Sequence, residues 1–203
     1  MTKLILITGF LGSGKTTFLH GGLKDTEGLK GITIFNKGGH FHGTPIGTSP
    51  PSYQLSMGSS LLKTIHSLYG YDYIFVETAG LAQPSVLYQL VTNAETHSHG
   101  RLRFLGMICV IDTLRFLKLV STVASLYEQV VYADCFVLSK IDLAGKKDLQ
   151  KIQDTLSLIR PQAPIFIQDT APIPFSAILS RIKEGPLPHG TSHTDGRIWH
   201  DTA

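Results

Sequence analysis

The stretch Gly9–Thr16, with the sequence GFLGSGKT, fits the phosphate-binding pattern G-x-x-x-x-G-K-[ST]. The apolar run Leu4–Ile7 before it predicts a buried strand, and Thr16–Lys24 after it predicts a helix. Glycines allow the backbone to turn so that successive N–H groups point inward, and the N-terminus of the helix adds partial positive charge. The strand, loop and helix together predict a site for the phosphates of a nucleotide.

Each polar residue of this loop has an expected role toward the nucleotide. The Lys15 ammonium is expected to reach the β- and γ-phosphates as a catalytic group, and the Thr16 hydroxyl is expected to bind Mg²⁺. Catalysis in this class of site is positioning combined with charge neutralisation. The residues of the loop expected to contact the nucleotide are Gly12, Ser13, Gly14, Lys15, Thr16 and Thr17.

The composition indicates one globular domain. The chain has 203 residues and a mild net charge of +3 without a long basic run, which does not favour nucleic acid as a partner. No apolar stretch approaches the roughly 20 residues that a membrane span needs. Cys109 and Cys135 lie in apolar runs without a C-x-x-C partner, so we expect buried thiols rather than a disulfide or metal site. A cytoplasmic location is the default expectation, with one domain over residues 1–184 and a polar, His-containing tail over 185–203.

Strand-like and helix-like segments alternate, which predicts an α/β phosphate-loop NTPase fold with a mostly parallel sheet and helices on both faces. Further strands are predicted at Gly31–Asn36, Tyr73–Val76, Phe104–Ile111, Cys135–Leu138 and Pro164–Ile167. Further helices are predicted at Leu61–Tyr69, at Pro84–Val91, within Leu114–Val131 and at Lys146–Ile159. Residues 38–54 are predicted to form a long surface loop, and Asn93–Gly100 a polar loop.

A second segment of interest is Tyr73–Gly80, in which a buried strand ends in Glu77-Thr78-Ala79-Gly80. An acid at the end of such a strand is where phosphate-loop folds place the carboxylate that holds Mg²⁺, so Glu77 is predicted as a metal-binding and catalytic residue. Gly80, three residues further on, can bring its N–H close to a γ-phosphate and is assigned to the catalytic group on that basis.

A third segment, Cys135–Asp142, runs from an apolar strand into Ser139-Lys140-Ile141-Asp142. The guanine-recognition motif has the form N-K-x-D, in which the Asp accepts hydrogen bonds from the guanine N1–H and N2 amine. The Lys stem packs on the face of the base. Ser139 replaces the usual Asn with a shorter hydrogen-bonding side chain. The order of the three segments predicts guanine binding by Ser139, Lys140 and Asp142.

These segments resemble CobW-like GTPases, relatives of the urease and hydrogenase accessory proteins UreG and HypB. The resemblance covers roughly residues 3 to 168 and is carried by Gly9–Thr17, Glu77–Gly80 with Pro84, Val110–Asp112, Ala133–Asp134 with Ser139–Leu143, and Pro161–Ile165. It implies a Mg²⁺-dependent GTPase that binds GTP and GDP and helps to deliver a transition metal, such as zinc or nickel. A client metalloprotein and a second copy of the chain are the candidate protein partners.

Two departures from that family bear on metal handling. The family carries an N-E-x-G segment after its second strand, whereas Asn36–Gly39 has Lys37 in place of the acid. The C-x-C-C metal motif of many members corresponds here to Ser56–Leu61, which has no cysteine, so thiolate binding of a metal at that point is excluded. His40 with His42 and His97 with His99 are paired at a spacing of two, but solvated loop histidines are the favoured interpretation because a site needs three or four ligands.

The sequence therefore predicts a GTP-binding protein that is a slow Mg²⁺-dependent GTPase related to metal-insertion accessory proteins. Three alternatives remain open. The first is a regulatory module that binds nucleotide without hydrolysing it, which Lys37 and the missing thiols favour. The second is a phosphate-loop kinase of a small molecule, for which Ser139–Asp142 would be a coincidence. The third is a metal carrier in which nucleotide gates release.

Overall fold

The structure is a computed structural model that describes residues 1–22, 30–37, 40–45, 53–56, 59–169 and 171–182. Its strands are β1 (Thr2–Thr8), β2 (Gly31–Lys37), β3 (His40–Pro45), β4 (Tyr53–Ser56), β5 (Tyr73–Glu77), β6 (Leu102–Asp112), β7 (Cys135–Ser139) and β8 (Ile165–Ile167). Its helices are α1 (Lys15–Gly22), α2 (Ser59–Ser67), α3 (Pro84–Thr96), α4 (Phe116–Leu119), α5 (Ala124–Val131), α6 (Lys146–Ile159) and α7 (Phe175–Arg181). A short 3₁₀ helix spans Ile141–Leu143.

The strands form one sheet in the order β4-β3-β2-β5-β1-β6-β7-β8. The six strands from β2 to β8 in that order are parallel, and β3 and β4 add an antiparallel wing at one edge. Helices cover both faces of the sheet, since α2, α3, α5 and α6 pack on one face and α1 and α7 on the other. The predicted α/β phosphate-loop fold is confirmed.

Side chains of β1 show why both faces are covered. Leu4 and Leu6 pack into one apolar cluster with α2 and α3, whereas Ile5 and Ile7 pack into another with α1 and α7. All four side chains are completely buried. Successive residues of a strand point to opposite faces, so a run of consecutive apolar residues requires a partner on each face. No described helix combines the length and apolar character that a membrane span requires.

The prediction of a surface loop over residues 38–54 is wrong, because β3 and the start of β4 lie within it. Its Gly, Pro and His content suggested a loop, but β3 pairs with β2 along its whole length. Pro45 is tolerated because it is the last residue of β3 and lies beyond the part that pairs with β4.

Two further differences from the predicted elements lie nearer the end of the chain. Helix α3 continues to Thr96, where a polar loop was predicted from Asn93, and Thr92 and Thr96 bond back to carbonyls of the preceding turn. Helix α7 was not predicted, although Phe175 and Ile178 are buried. The tail over 185–203 and residues 23 and 24 of the predicted first helix lie outside the described residues.

Candidate functional site

The predicted segments converge at the carboxyl ends of four neighbouring strands. Strands β5, β1, β6 and β7 are adjacent in the sheet and end at Glu77, Thr8, Asp112 and Ser139 respectively. The pairing places Ile7 beside Glu77 and Asp112 beside Ser139. In open α/β sheets the ligand crevice lies outside the carboxyl ends of the strands. The fold therefore brings together residues that are more than 120 positions apart in the chain.

The phosphate loop has the backbone that its glycines make possible. Gly9, Gly12 and Gly14 have φ angles of 144°, 72° and 91°, in the region that residues with side chains rarely adopt. A Cβ on Gly9 would lie 2.4 Å from the Val110 carbonyl oxygen, so no larger residue fits there. The Ser13 hydroxyl is buried and has no hydrogen-bond partner among the described residues. A buried, unpartnered hydroxyl within a glycine turn fits a loop that closes around a ligand.

Lys15 begins α1 and turns its ammonium back over the loop. Its Nζ donates to the carbonyl oxygens of Gly9 at 2.8 Å and Phe10 at 3.1 Å, and the residue is 8% exposed. Burial lowers the pKa of this ammonium below its ordinary value, and the nearby Glu77 carboxylate opposes the shift. A buried cation that has only carbonyl partners favours an anion beside it, which is the property expected of a phosphate-binding lysine.

Thr16 and Glu77 form the second polar contact of the loop. The Thr16 hydroxyl lies 2.8 and 3.0 Å from the two carboxylate oxygens of Glu77. Mg²⁺ is a hard cation that takes oxygen ligands, often one or two carboxylates with hydroxyl, phosphate and water oxygens. The two side chains predicted to hold Mg²⁺ therefore lie together, and their oxygen donors fit that ion.

Gly80 lies against the phosphate loop. A Cβ at this position would be 2.7 Å from the backbone nitrogen of Leu11 and 2.9 Å from its Cα. The turn after β5 can approach the loop this closely only because residue 80 has no side chain. Thr17, by contrast, lies exposed in the first turn of α1.

The base motif is bonded directly to the phosphate loop. The Ser139 hydroxyl lies 2.7 Å from the Ser13 carbonyl oxygen and 3.0 Å from that of Ile111. Lys140 adopts a left-handed conformation with φ of 58°, and its Nζ donates to the Gly12 carbonyl oxygen at 2.8 Å. Asp142 is exposed at the 3₁₀ helix that follows. The contacts of Ser139 are with protein groups, so its contact with a base stays a prediction.

Asp112 is a site residue that no residue-level argument predicted, although it belongs to the Val110–Asp112 string of the family resemblance. It is 5% exposed, and its carboxylate accepts a 2.7 Å bond from Lys140 and a 3.0 Å bond from the Leu114 N–H. The Arg115 guanidinium lies further off, at 3.9 Å. Its position at the end of the strand beside β1 was the signal that could have identified it.

Among the described residues, no group of three or more His, Cys, Asp and Glu side chains could hold a metal ion, and this search includes His97 and His99 but not the side chains of His40 and His42. His97 ends α3, and its Nδ1 lies 2.8 Å from the Asn93 carbonyl oxygen. His99 is exposed in the following turn. The side chains of Lys37, His40 and His42 lie outside the described residues. Cys109 and Cys135 are buried and free, as predicted.

Comparison with known proteins finds relatives with the same architecture. The chain is 28% identical over 179 residues to the zinc chaperone YjiA of Escherichia coli (strain K12), a match that covers 79% of this chain and 55% of that protein. It is 23% identical over 181 residues to the zinc-regulated GTPase metalloprotein activator 1 of Schizosaccharomyces pombe (strain 972 / ATCC 24843), covering 79% and 44%. The chain thus spans about half the length of these relatives.

Solved structures give the same fold. The Zn(II)-bound YjiA GTPase from E. coli superposes with a TM-score of 0.70 at 23% identity, covering 89% of this chain and 62% of that one. The hydrogenase maturation factor HypB from Archaeoglobus fulgidus superposes with a TM-score of 0.54 at 16% identity, covering 83% and 81%.

The family model that matches is described as CobW/HypB/UreG, nucleotide-binding domain, and it covers residues 3–43 and 52–167. The matched ranges contain the phosphate loop, Glu77–Gly80 and Ser139–Asp142. The fold brings these segments together at the carboxyl ends of the central strands. The chain therefore belongs to the CobW/HypB/UreG family, of which it carries the nucleotide-binding domain.

Proposed function

We propose that this chain binds GTP with Mg²⁺, hydrolyses it slowly, and thereby serves the delivery of a transition metal to a client protein. The observation that carries the proposal is the direct link between the base motif and the phosphate loop. Ser139 bonds to the Ser13 carbonyl at 2.7 Å, and Lys140 bonds to the Gly12 carbonyl at 2.8 Å. A site for a whole guanine nucleotide needs its base and phosphate halves at a fixed separation, and these bonds supply that link.

In this proposal the phosphates lie on Gly12–Thr17, and the base lies against Lys140 and Asp142. Lys15 moves its ammonium from the loop carbonyls to the β- and γ-phosphates. Thr16 and Glu77 hold Mg²⁺, which when bound supplies further neutralisation of phosphate charge. The Gly80 N–H contacts the γ-phosphate, and Asp142 accepts hydrogen bonds from the guanine N1–H and N2 amine.

Slow turnover follows from the groups beside the phosphate loop. Glu77 is bonded to Thr16, and Asp112 is bonded to Lys140. Apart from Glu77 and Asp142, which have other roles in this proposal, the segments Gly9–Thr17, Glu77–Gly80 and Ser139–Asp142 contain no carboxylate or imidazole that could orient an attacking water. Positioning and charge neutralisation remain, so we expect turnover well below the ordinary enzyme range, which begins at about 1 s⁻¹.

The transition metal is cargo in this proposal. YjiA is named as a zinc chaperone and the S. pombe relative as a metalloprotein activator. Ser56–Leu61 of this chain has no cysteine, so thiolates cannot hold the metal there. Neutral imidazoles suit Zn²⁺ and Ni²⁺, which leaves His40 and His42 of β3 as the candidate ligands, with a client protein or a second copy of the chain to complete the site.

Phosphate release and guanine selectivity distinguish two other functions from this one. A regulatory module would bind GTP without releasing phosphate, and Lys37 in place of the family's acid favours it. A small-molecule kinase would have no need of guanine selectivity, and the bonds from Ser139 and Lys140 to the phosphate loop argue against a coincidental motif.

Titration of the full chain with GTP, GDP and ATP in the presence of Mg²⁺, with phosphate release measured in the same samples, tests the proposal. We expect both guanine nucleotides to bind and ATP to bind about 100-fold more weakly, because adenine leaves the carboxylate of Asp142 without donors. Equal binding of ATP and GTP would remove the guanine assignment. GTP binding without phosphate release would leave the regulatory module. Equilibrium dialysis of the same samples against Zn²⁺ and Ni²⁺ measures whether the chain alone holds metal.

A further inference from the structure

A buried amide lies behind the turn that follows β5. Gln129 belongs to α5 and is completely buried, and Leu126 and Val130 of the same helix are buried too. Its Nε2 donates to the Gly80 carbonyl oxygen at 3.0 Å. Its Oε1 is buried and has no hydrogen-bond partner among the described residues. Burying an amide with one unsatisfied atom costs free energy, so the bond to Gly80 calls for a reason beyond packing.

Gly80, the residue to which Gln129 bonds, packs directly against the phosphate loop. Gly80 packs so closely on Leu11 that a Cβ would lie 2.7 Å from the Leu11 nitrogen. A glycine has more backbone freedom than any other residue, and a bond to its carbonyl restricts the rotation that would otherwise reorient the peptides on either side. Gln129 therefore restricts the conformation of the turn at the point where it packs against the phosphate loop.

Glu128, the residue before Gln129, bonds to the far end of the segment that runs from Gly80 to the start of α3. The Glu128 carboxylate accepts a bond of 3.4 Å from the N–H of Ser85. Ser85 is the second residue of α3, whose first residue is Pro84 and whose N-terminal flanking residue makes no side-chain capping bond. The two neighbouring side chains of α5 thus bond to both ends of residues 80–85, from the phosphate loop to the start of α3.

We propose that Gln129 is a positioning residue that holds Gly80 so that its N–H meets the γ-phosphate, and that it thereby sets the preference of the site for GTP over GDP. The inference rests on the proposed function, because it assumes a guanine nucleotide on the phosphate loop. It goes beyond that function by assigning γ-phosphate discrimination to a residue of α5 that does not itself touch the nucleotide. A residue that only stabilised the fold would affect both nucleotides equally.

The test compares Gln129→Met with Gln89→Met. Methionine has nearly the length of glutamine but no donor, and Gln89 is exposed on α3, so the control makes the same chemical change away from the turn. The dissociation constants for Mg²⁺–GDP and for a Mg²⁺ complex of a non-hydrolysable GTP analogue are measured for the 203-residue chain of each variant. We expect Gln129→Met to weaken binding of the GTP analogue about tenfold and binding of GDP less than about twofold, because one hydrogen bond to a buried carbonyl is lost. Gln89→Met should leave both constants unchanged.

Equal weakening of both nucleotides, or no change in their ratio, would overturn the inference. Gln129→Asn provides a second variant in case the methionine variant does not fold, since it keeps a buried amide but withdraws it by one methylene. It should change the same ratio in the same direction. If the wild-type chain binds neither nucleotide, the proposed function fails and this inference fails with it, whereas an unchanged ratio in variants of a chain that binds both overturns the inference alone.

Discussion

The phosphate half and the base half of the site are held in different ways. In the phosphate half, formed by the phosphate loop and Glu77, the polar side chains are bonded to the loop or to one another, since Lys15 bonds to loop carbonyls and Thr16 bonds to Glu77. In the base half, Ser139 and Lys140 bond across to the phosphate loop, while Asp142 is exposed.

Under the proposed function, this difference would separate the groups that give affinity from the group that gives selectivity. Under the proposed function, Lys15, Thr16 and Glu77 would exchange their present partners for phosphate and Mg²⁺, so their contribution to affinity would be the difference between two sets of polar bonds. Lys140 is held in its present conformation by bonds to Gly12 and Asp112. Under the same proposal, Asp142 would distinguish guanine from adenine because only guanine offers it donors. Substitutions in the two halves should therefore have different effects on binding.

The largest effect is expected for Lys15→Ala. Hydrogen bonds to charged groups contribute about 1.5–3 kcal/mol each, so loss of the ammonium should weaken the binding of GTP and GDP by about 100-fold or more. The fold should persist, because burial lowers the pKa of Lys15 and its charge is not favourable in the nucleotide-free chain. Isothermal titration measures the affinity, and Lys147→Ala on the exposed side of α6 is the control. Unchanged affinity in a folded Lys15→Ala chain would remove the phosphate assignment.

Asp142→Asn should change the identity of the preferred base rather than the affinity for phosphate. Xanthine has an acceptor where guanine has its N2 amine, and the Asn amide supplies the matching donor. We expect GTP to bind at least about tenfold more weakly and xanthosine triphosphate to become the preferred ligand, because a hydrogen bond to a charged group contributes about 1.5–3 kcal/mol. Competition binding with GTP, ATP and xanthosine triphosphate measures this preference. Asp148→Asn, on the exposed first turn of α6, should retain guanine preference. A variant that still prefers GTP would separate Asp142 from base recognition.

The sequence predicted the parts of the site that depend on contiguous residues. Gly9–Thr16 and Glu77–Gly80 were identifiable because the chemistry of a phosphate turn and of a strand-end carboxylate is local. The bond from Ser139 to Ser13 joins residues 126 positions apart, and no pattern along the chain marks such a contact. Gln129 carried no signal either, because a single glutamine in an amphipathic helix is usually a surface residue.

The same distinction explains the errors in the fold. The strands of the parallel sheet were predicted because helices cover both of their faces, which makes them runs of consecutive apolar residues. Strand β3 was missed because four of its six residues are His, Gly or Pro, and β4 was missed because it has only four residues. β3 pairs with β2 and β4 pairs with β3, and these tertiary contacts override local propensity. Helix α7 was missed because it has only 7 residues, too few for a periodic pattern, and is fixed by Phe175 packing on Phe18 and Phe75.

Removing the link between the two halves should have a moderate effect. Ser139→Ala leaves the Ser13 and Ile111 carbonyls without that donor, and a typical intramolecular hydrogen bond contributes about 1 kcal/mol to stability. For a chain of this size that corresponds to a fall in melting temperature of about 2–4 °C. Thermal unfolding followed by circular dichroism measures it, and Ser180→Ala removes a comparable hydroxyl bond at an exposed position. A Ser139→Ala variant as stable as the Ser180→Ala variant would show that the link does not stabilise the site.

The smallest effect is expected in the labelling rates of the two thiols. These rates show whether the phosphate half and the base half of the site unfold in one event. Cys109 pairs with Thr8 just before the phosphate loop, and Cys135 begins the strand that ends at Ser139. Burial raises the pKa of Cys109 to about 12 and also raises that of Cys135, so at pH 8 the thiolate form that reacts with iodoacetamide is scarce in both.

Both thiols should therefore react only when the chain unfolds, and the ordinary thiol pKa should return in the unfolded chain. If Ser139 and Lys140 join the two halves into one unit, Cys109 and Cys135 are exposed by the same event and label at the same slow rate. Mg²⁺–GDP should then slow both by the same factor, because it stabilises the one folded state from which both are protected. Peptide mapping by mass spectrometry measures the two rates, and a chain unfolded in urea gives the reference. Slower labelling of Cys109 alone in the presence of nucleotide would mean that the phosphate half opens without the base half.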